Sequence, residues 1–248
     1  MKFIPLLLTT IVFSLTHPLS AQEGEDPNAP PSVGDSNSNE KDGATETEAP
    51  KVGLADPKTG RLPKLTEELS RQALEAFTKR EWDKARAAYA KILEVEPGNA
   101  LALANLGAVE YQTGNFDKAQ TYLEAAVKYN PRLDQSWLVL GMIYYEKEQI
   151  NLAISALTRA LHENPLDPRA HTNLAIVIKS IGWTNGAELE LQRAIEIKPD
   201  YAGAHFNLAL MYLDRKPPAL ELAARHYDEA LKLGAKPDPI VQKRLGRD

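Results

Sequence analysis

The chain contains no cysteine. It can therefore form no disulfide and no thiolate metal site, and it has no cysteine nucleophile or cysteine-linked lipid. This absence suits an oxidising compartment, where free thiols would mispair. Long runs of Lys or Arg are also missing, and the 248 residues carry a formal net charge of -5, so the charge pattern does not favour nucleic-acid binding.

Motifs of the common enzyme classes are missing as well. We find no phosphate-binding loop, no nucleophile elbow and no helical zinc-protease motif. Hydrophobic residues make up 43% of the chain and charged residues 25%, which is ordinary for a globular protein with a sizeable core. The sequence therefore predicts a protein that is not an enzyme and needs no cofactor or metal.

The N-terminus, residues 1–21, has the pattern of a signal peptide. Lys2 precedes an apolar stretch from Phe3 to Leu15, and Pro18 and Ala21 follow it. The stretch has the length of a signal-peptide core and is short for a membrane span. We predict cleavage after Ala21 and a periplasmic or secreted mature protein with no membrane span. The alternative is an uncleaved N-terminal anchor.

Residues 22–64 form an acidic, Pro-rich segment with almost no large apolar side chains. Such a segment cannot bury enough surface to offset the entropy of ordering its backbone, so we predict a disordered linker. It is either a plain spacer or an acidic recognition tail. Val52, Leu54 and Leu62 would then form a small docking patch ahead of the folded part.

The rest of the chain repeats with a period of 34 residues. Residues 34 apart share size and polarity, and the apolar ones fall at helical spacing, so each repeat predicts two amphipathic helices. The columns of equivalent residues include Leu106, Leu140, Leu174 and Leu208; Ala73, Gly107, Gly141, Ala175 and Ala209; Ala85, Ala119, Ala153 and Ala187; and Pro97, Pro131, Pro165 and Pro199.

The second repeat shows how these columns would pack. Small residues at Gly107 and Ala119 let its two helices approach closely, and Leu123 fills the space beside them. Gly114 supplies the left-handed residue that often ends a helix, and Pro131 stops the second helix. One such pair cannot bury its apolar face alone, so neighbouring pairs must stack.

The pattern resembles the tetratricopeptide-repeat family. The third repeat carries the resemblance best, with Trp137, Leu140, Gly141, Tyr144, Ala153, Leu157, Ala160 and Pro165 at the family's positions. The resemblance implies an all-α, right-handed superhelical solenoid of about five helix-turn-helix units over residues 65–248. The units are 66–99, 100–133, 134–167, 168–201 and 202–237, with a short capping helix in 238–248.

The end units depart from the pattern. Gln72 replaces the usual Leu and Arg80 the usual turn glycine, so the first unit looks like a solvent-facing cap. The turn of the fifth unit is two residues longer, at 214–218. Asp238 and Pro239 predict the start of a last helix, whose apolar residues Ile240, Val241 and Leu245 would cover the end of the stack.

The resemblance also implies a concave groove that binds peptides, lined by the first helix of each unit. Asparagines at the sixth position of three units would bond to the backbone of an extended ligand; alternatively they cap or bridge adjacent helices. The predicted groove residues are Asn105, Tyr111, Leu138, Val139, Met142, Tyr145, Arg169, Asn173, Ile176, Phe206, Asn207 and Leu210, with Ala104, Ala108 and Thr172 as neighbours. No register supplies the paired cations that family members use to bind an acidic chain terminus.

His171 and His205 stand in one column of adjacent units, where the family has a large residue. A metal site needs at least one more ligand, so we predict two half-buried histidines. If they pair with each other, they would form a local pH sensor.

Together these features predict a non-enzymatic scaffold or adaptor of the bacterial cell envelope that holds a peptide segment or a protein subunit in its groove. Two other functions remain open. One is a structural repeat protein that associates with itself, and the other is an accessory module of an extracellular enzyme or of a glycan-handling complex.

Overall fold

The computed structural model describes residues 64–247, with side chains from residue 66 onward. The predicted signal peptide, its cleavage site after Ala21, and the linker as far as residue 63 lie outside the described residues, as do Val52, Leu54 and Leu62. The first helix begins at Lys64, which the sequence analysis placed in the linker.

Residues 64–247 form eleven helices and no strand, so the all-α prediction is confirmed. In chain order the helices are α1 (Lys64–Thr78), α2 (Trp82–Val95), α3 (Ala100–Gln112), α4 (Phe116–Tyr129), α5 (Asp134–Glu146), α6 (Ile150–Glu163), α7 (Pro168–Ser180), α8 (Thr184–Ile197), α9 (Ala202–Leu213), α10 (Leu220–Lys232) and α11 (Pro239–Arg244).

The helices pack in consecutive pairs, and the pairs stack on one another. α1 packs on α2, α3 on α4, and so on to α9 and α10, while the second helix of each pair contacts the first helix of the next. In addition, α5 contacts α7 and α7 contacts α9. In a curved stack, elements of neighbouring units lie closest to each other on the inner side. Because the first helices of neighbouring units contact each other, they line the inner side of the stack.

The predicted small-residue columns lie at the helix crossings. A Cβ atom added at Gly107 would lie 2.6 Å from Cγ of Leu123, and one at Gly141 would lie 2.6 Å from Cγ of Leu157. Both leucines are fully buried. The helix pairs of the second and third units are therefore each closed by a leucine that occupies the space a side chain on the glycine would need, as the sequence predicts.

The turns inside the first four units each have one residue with positive φ at the same position, whether or not that residue is glycine. Gly114 and Gly182 have φ of 81° and 87°, and the same turn position holds Arg80 with φ of 58° and Glu148 with φ of 59°. Arg80 thus adopts the left-handed conformation although it has a side chain, which costs about 1–2 kcal/mol relative to glycine. We infer that the packing of the two helices fixes the backbone conformation of the turn, and that the residue at this position adopts it even when it is not glycine.

The two ends of the stack differ from its middle. Gln72 is exposed, as predicted for a solvent-facing first unit, and the fifth turn runs over residues 214–219. The Asp238 carboxylate accepts hydrogen bonds from the backbone N–H groups of Ile240 and Val241 at 2.8 and 3.0 Å, so it caps α11 as expected. Val241 is fully buried, but Ile240 is 50% exposed, so the prediction that it covers the end is wrong. Residues 64–247 include no helix long and apolar enough to cross a membrane.

Candidate peptide-binding groove

Five of the residues predicted for the groove meet in one hollow on the inner side of the stack. They are Tyr111 of α3, Met142 and Tyr145 of α5, and Asn173 and Ile176 of α7. The hollow has a volume of about 30 Å³, which is enough for about two water molecules. Sequence reasoning missed its other lining residues, Glu146, Leu157 and Val177.

The walls of this hollow are apolar and its rim is acidic. The Tyr111 hydroxyl donates a weak hydrogen bond to the Met142 sulfur at 3.9 Å. Burial, together with the nearby Glu146 carboxylate, raises the pKa of Tyr111 to about 12. Burial and Glu146 also raise the pKa of Tyr145, against a hydrogen bond with Ser180. Glu146 is exposed, so its charge faces whatever enters from solvent.

The three predicted asparagines lie in different surroundings. Asn173 is half-buried and lines the hollow. Asn207 is 6% exposed, and its amide donates to the backbone carbonyl of Gly203, one turn back in the same helix, at 2.8 Å. Asn105 has no exposed surface. Of the three amides, that of Asn173 is therefore the one most open to solvent.

The remaining apolar residues predicted for the groove belong mainly to the packed interior. Leu138, Val139 and Phe206 are buried, and the Phe206 ring lies 6.2 Å from the Tyr227 ring between centroids. Leu210 is half-buried and packs against the core.

Arg169 is bound to neighbouring side chains. Its guanidinium donates to Asp167 at 2.7 and 3.0 Å and to the Gln135 side chain at 2.6 Å. Burial would raise the pKa of Asp167, but the hydrogen bonds and charge of Arg169 outweigh it and lower that pKa. Arg169 is thus neutralised within the fold, which fits the absence of paired cations for an acidic ligand.

At one position of the repeat, a ring nitrogen of Trp137, His171 or His205 faces the backbone carbonyl of the proline near the end of the preceding unit. Trp137 Nε1 donates to the carbonyl oxygen of Pro131 at 2.8 Å. His171 Nε2 lies 3.0 Å from the carbonyl of Pro165, and His205 Nε2 lies 3.0 Å from the carbonyl of Pro199. Because a carbonyl only accepts, each histidine carries its hydrogen on Nε2.

The two histidines do not pair with each other, so the condition for a pH sensor formed by this pair is not met. His171 Nδ1 lies 2.6 Å from the Glu190 carboxylate, and His205 Nδ1 lies 3.0 Å from Nδ1 of His226. The partners are 19 and 21 residues further on, and the difference equals the two residues added to the fifth turn. Glu190 and His226 thus share one register position, a signal that would have identified both pairs. In the part of the chain that the structure describes, no group of three or more side chains could hold a metal ion.

The comparisons with known proteins agree with this architecture. Two family models described as tetratricopeptide repeat match residues 76–143 and 138–178. No curated protein matches the chain.

Among solved structures, MamA is 26% identical, with a TM-score of 0.57 over 65% of this chain and 93% of that one. PilF of Pseudomonas aeruginosa is 19% identical, with a TM-score of 0.65 over 73% of this chain and 83% of that one. YrrB, described as a TPR protein with an unusual peptide-binding site, is 22% identical, with a TM-score of 0.57 over 74% of this chain and 98% of that one.

Proteins of this fold are generally scaffolds for protein–protein interactions and not enzymes. The 34-residue columns, the stacked helix pairs and the two family models agree that residues 76–178 of this chain are tetratricopeptide repeats.

Proposed function

We propose that this protein is a non-enzymatic scaffold of the bacterial cell envelope that binds a peptide segment of another protein on its inner face. One observation carries the proposal: α3, α5 and α7 together form an apolar hollow, as a site that holds a side chain of a ligand requires. The general role of the family in protein–protein interaction supports it.

The lining residues define the ligand. Met142 and Ile176 offer apolar contact to one small aliphatic side chain, and Met142 is flexible enough to adjust to its shape. The exposed Glu146 carboxylate favours a Lys or Arg beside that residue. The Asn173 amide can donate to and accept from the ligand backbone. Because Arg169 is neutralised by Asp167, an acidic chain terminus is a poor ligand for this face.

The cellular location in this proposal rests on the sequence of residues 1–21 and on the absence of cysteine. Mass spectrometry of the protein from an envelope fraction should give a mature N-terminus at Gln22. A protein that keeps residues 1–21 and stays in the cytoplasm would contradict the location and leave the groove untouched.

A peptide library screened against the full mature chain tests the ligand. We expect enrichment of peptides with a small aliphatic residue next to Lys or Arg. Ile176→Lys should weaken their binding at least about tenfold, which corresponds to about 1.4 kcal/mol. Glu146→Gln should weaken it less and remove its dependence on salt.

Leu152→Lys is the matched control for Ile176→Lys. Leu152 lies on α6, the second helix of its unit, and is already 49% exposed, so the variant should bind as the parent does. Equal binding by Ile176→Lys and the parent would refute the proposed site.

A second candidate function is self-association. Trp183, Leu166 and Leu189 are 62%, 63% and 65% exposed, which is high for large apolar side chains. Light scattering that finds a monomer at high protein concentration would remove this candidate. A dimer that Trp183→Ser disrupts would support it.

A further inference from the structure

Two histidines face each other inside the fifth unit. His205 lies on α9 and is 8% exposed, and His226 lies on α10 and is half-buried. Their Nδ1 atoms are 3.0 Å apart, within hydrogen-bond distance. At this distance one nitrogen must donate and the other accept, so one hydrogen lies between the two rings.

This geometry limits how many protons the pair can hold. In the uncharged pair, His205 carries its hydrogen on Nε2, facing Pro199, and accepts at Nδ1 from His226. One added proton is tolerated, because either ring can then be the cation that donates across the contact. A second would place a hydrogen on both Nδ1 atoms, and two cations with opposed N–H groups cannot stay 3.0 Å apart.

The surrounding charges do not remove this limit. Glu188 of α8 favours the charged form of His226, whereas Arg225 of α10 disfavours it, and Glu229 of α10 also senses His205. The Tyr212 ring of α9 lies 5.6 Å from the His226 ring. Burial, then the charges of His205 and Arg225, lower the pKa of His226. From the other neighbouring helices, Lys179 of α7 and Arg244 of α11 both pair with Asp214.

The equivalent contact in the fourth unit has the opposite chemistry. His171 faces the Pro165 carbonyl with one nitrogen and the Glu190 carboxylate with the other, so both nitrogens face acceptors. Burial would lower the pKa of His171, but the hydrogen bonds to Glu190 and Pro165 outweigh it and raise that pKa. Protonation therefore strengthens this contact.

We propose that His205 and His226 form an acid-sensitive contact that holds α9 against α10 at neutral pH and releases it on acidification, while the fourth unit keeps its histidine contact. The closed pair binds one proton fewer than the open pair once the pH falls below the ordinary histidine pKa of about 6.5. Opening of the fifth unit then becomes up to about tenfold more favourable for each further pH unit. This inference does not depend on the proposed ligand.

Hydrogen exchange of the full mature chain between about pH 7.5 and about pH 5 measures the opening. After correction for the intrinsic pH dependence of exchange, we expect protection of residues 220–232 to fall by up to about tenfold per pH unit below about 6.5. Protection of α3 to α6 should stay constant.

His226→Gln separates this mechanism from general acid unfolding. A glutamine amide can donate to neutral His205 Nδ1 through its N–H and, after rotating, accept from protonated His205 through its oxygen, so the loss of protection at acidic pH should disappear. His162→Gln, on α6, removes another histidine and should leave the loss unchanged. An unchanged loss in His226→Gln, or constant protection in the parent protein, would overturn the proposal.

NMR titration of the imidazole nitrogens in the parent protein gives a second measurement that needs no variant. The folded form should take up one proton at the pair while the second is delayed to lower pH. Two independent titrations near the ordinary histidine pKa would also overturn the proposal.

Discussion

The helix pairs in the middle of the stack and those at its two ends carry different residues at the equivalent closing positions. In the second and third units a glycine meets a leucine, as in Gly141 and Leu157, whose Cγ lies where a Cβ on the glycine would clash. In the first and last units an alanine and a tyrosine hold these positions. Tyr89 and Tyr227 are both fully buried. The glycine and leucine thus bring the helices of the second and third units close together, whereas a larger tyrosine side chain fills the same position at the two ends.

The two tyrosines differ in what their hydroxyls find. Tyr227 Oη accepts a hydrogen bond from the backbone N–H of Asp238 at 2.7 Å, which ties α11 to the stack. Tyr89 Oη is buried and finds no partner among the residues whose side chains the structure describes. One end is therefore fastened by a hydrogen bond, whereas the other carries a buried hydroxyl that has no partner within residues 66–247.

The largest expected effect breaks the middle. Gly141→Ala should destabilise the protein by about 1–3 kcal/mol, because the new methyl group must displace Leu157. Gly186→Ala is its matched control, since a Cβ there meets only Ile178 Cδ1 at 3.4 Å. Alanine is the better helix former, so this control should stabilise by up to about 1 kcal/mol. Urea unfolding measures both, and shifts of the same sign would contradict the account.

The second prediction tests the ends. Tyr227→Phe should cost about 1–2 kcal/mol, because the Asp238 N–H loses its acceptor, and α11 should lose protection against hydrogen exchange. Tyr89→Phe removes a hydroxyl that has no partner in residues 66–247, so it should be neutral or stabilising by up to about 1 kcal/mol. Equal losses in the two variants would mean that the ends are not different.

The smallest expected effect concerns the turns, which the middle and the first unit share. Arg80→Gly and Glu148→Gly should each stabilise by up to about 1 kcal/mol, because glycine adopts the left-handed conformation without strain but loses more entropy on folding. Gly114→Ala should do the reverse. Thermal unfolding measures all three, and destabilisation by both glycine variants would show that their side chains stabilise the turns.

Positions that depend on sterics could be predicted from the sequence. A 34-residue period with small residues at Gly107 and Gly141 admits few other packings, and the groove positions implied by the family resemblance brought Tyr111, Met142 and Ile176 to one hollow. Positions that depend on a polar partner could not. The amide of Asn207 is bonded to Gly203 within its own helix, and the charge of Arg169 is neutralised by Asp167 two residues earlier. Periodicity predicts the position of a side chain, but its hydrogen-bond partners determine whether it is available to bind a ligand.

The ring contacts with the proline carbonyls have a consequence for engineering such repeats. Tryptophan and histidine both supply the N–H that Pro131, Pro165 and Pro199 accept. Histidine has a second nitrogen on the other side of the ring, and the residue opposite sets whether that nitrogen favours or resists a charge. Exchanging one ring for the other at this position is thus a way to install pH response of a chosen sign in a single unit while the joint between units is retained.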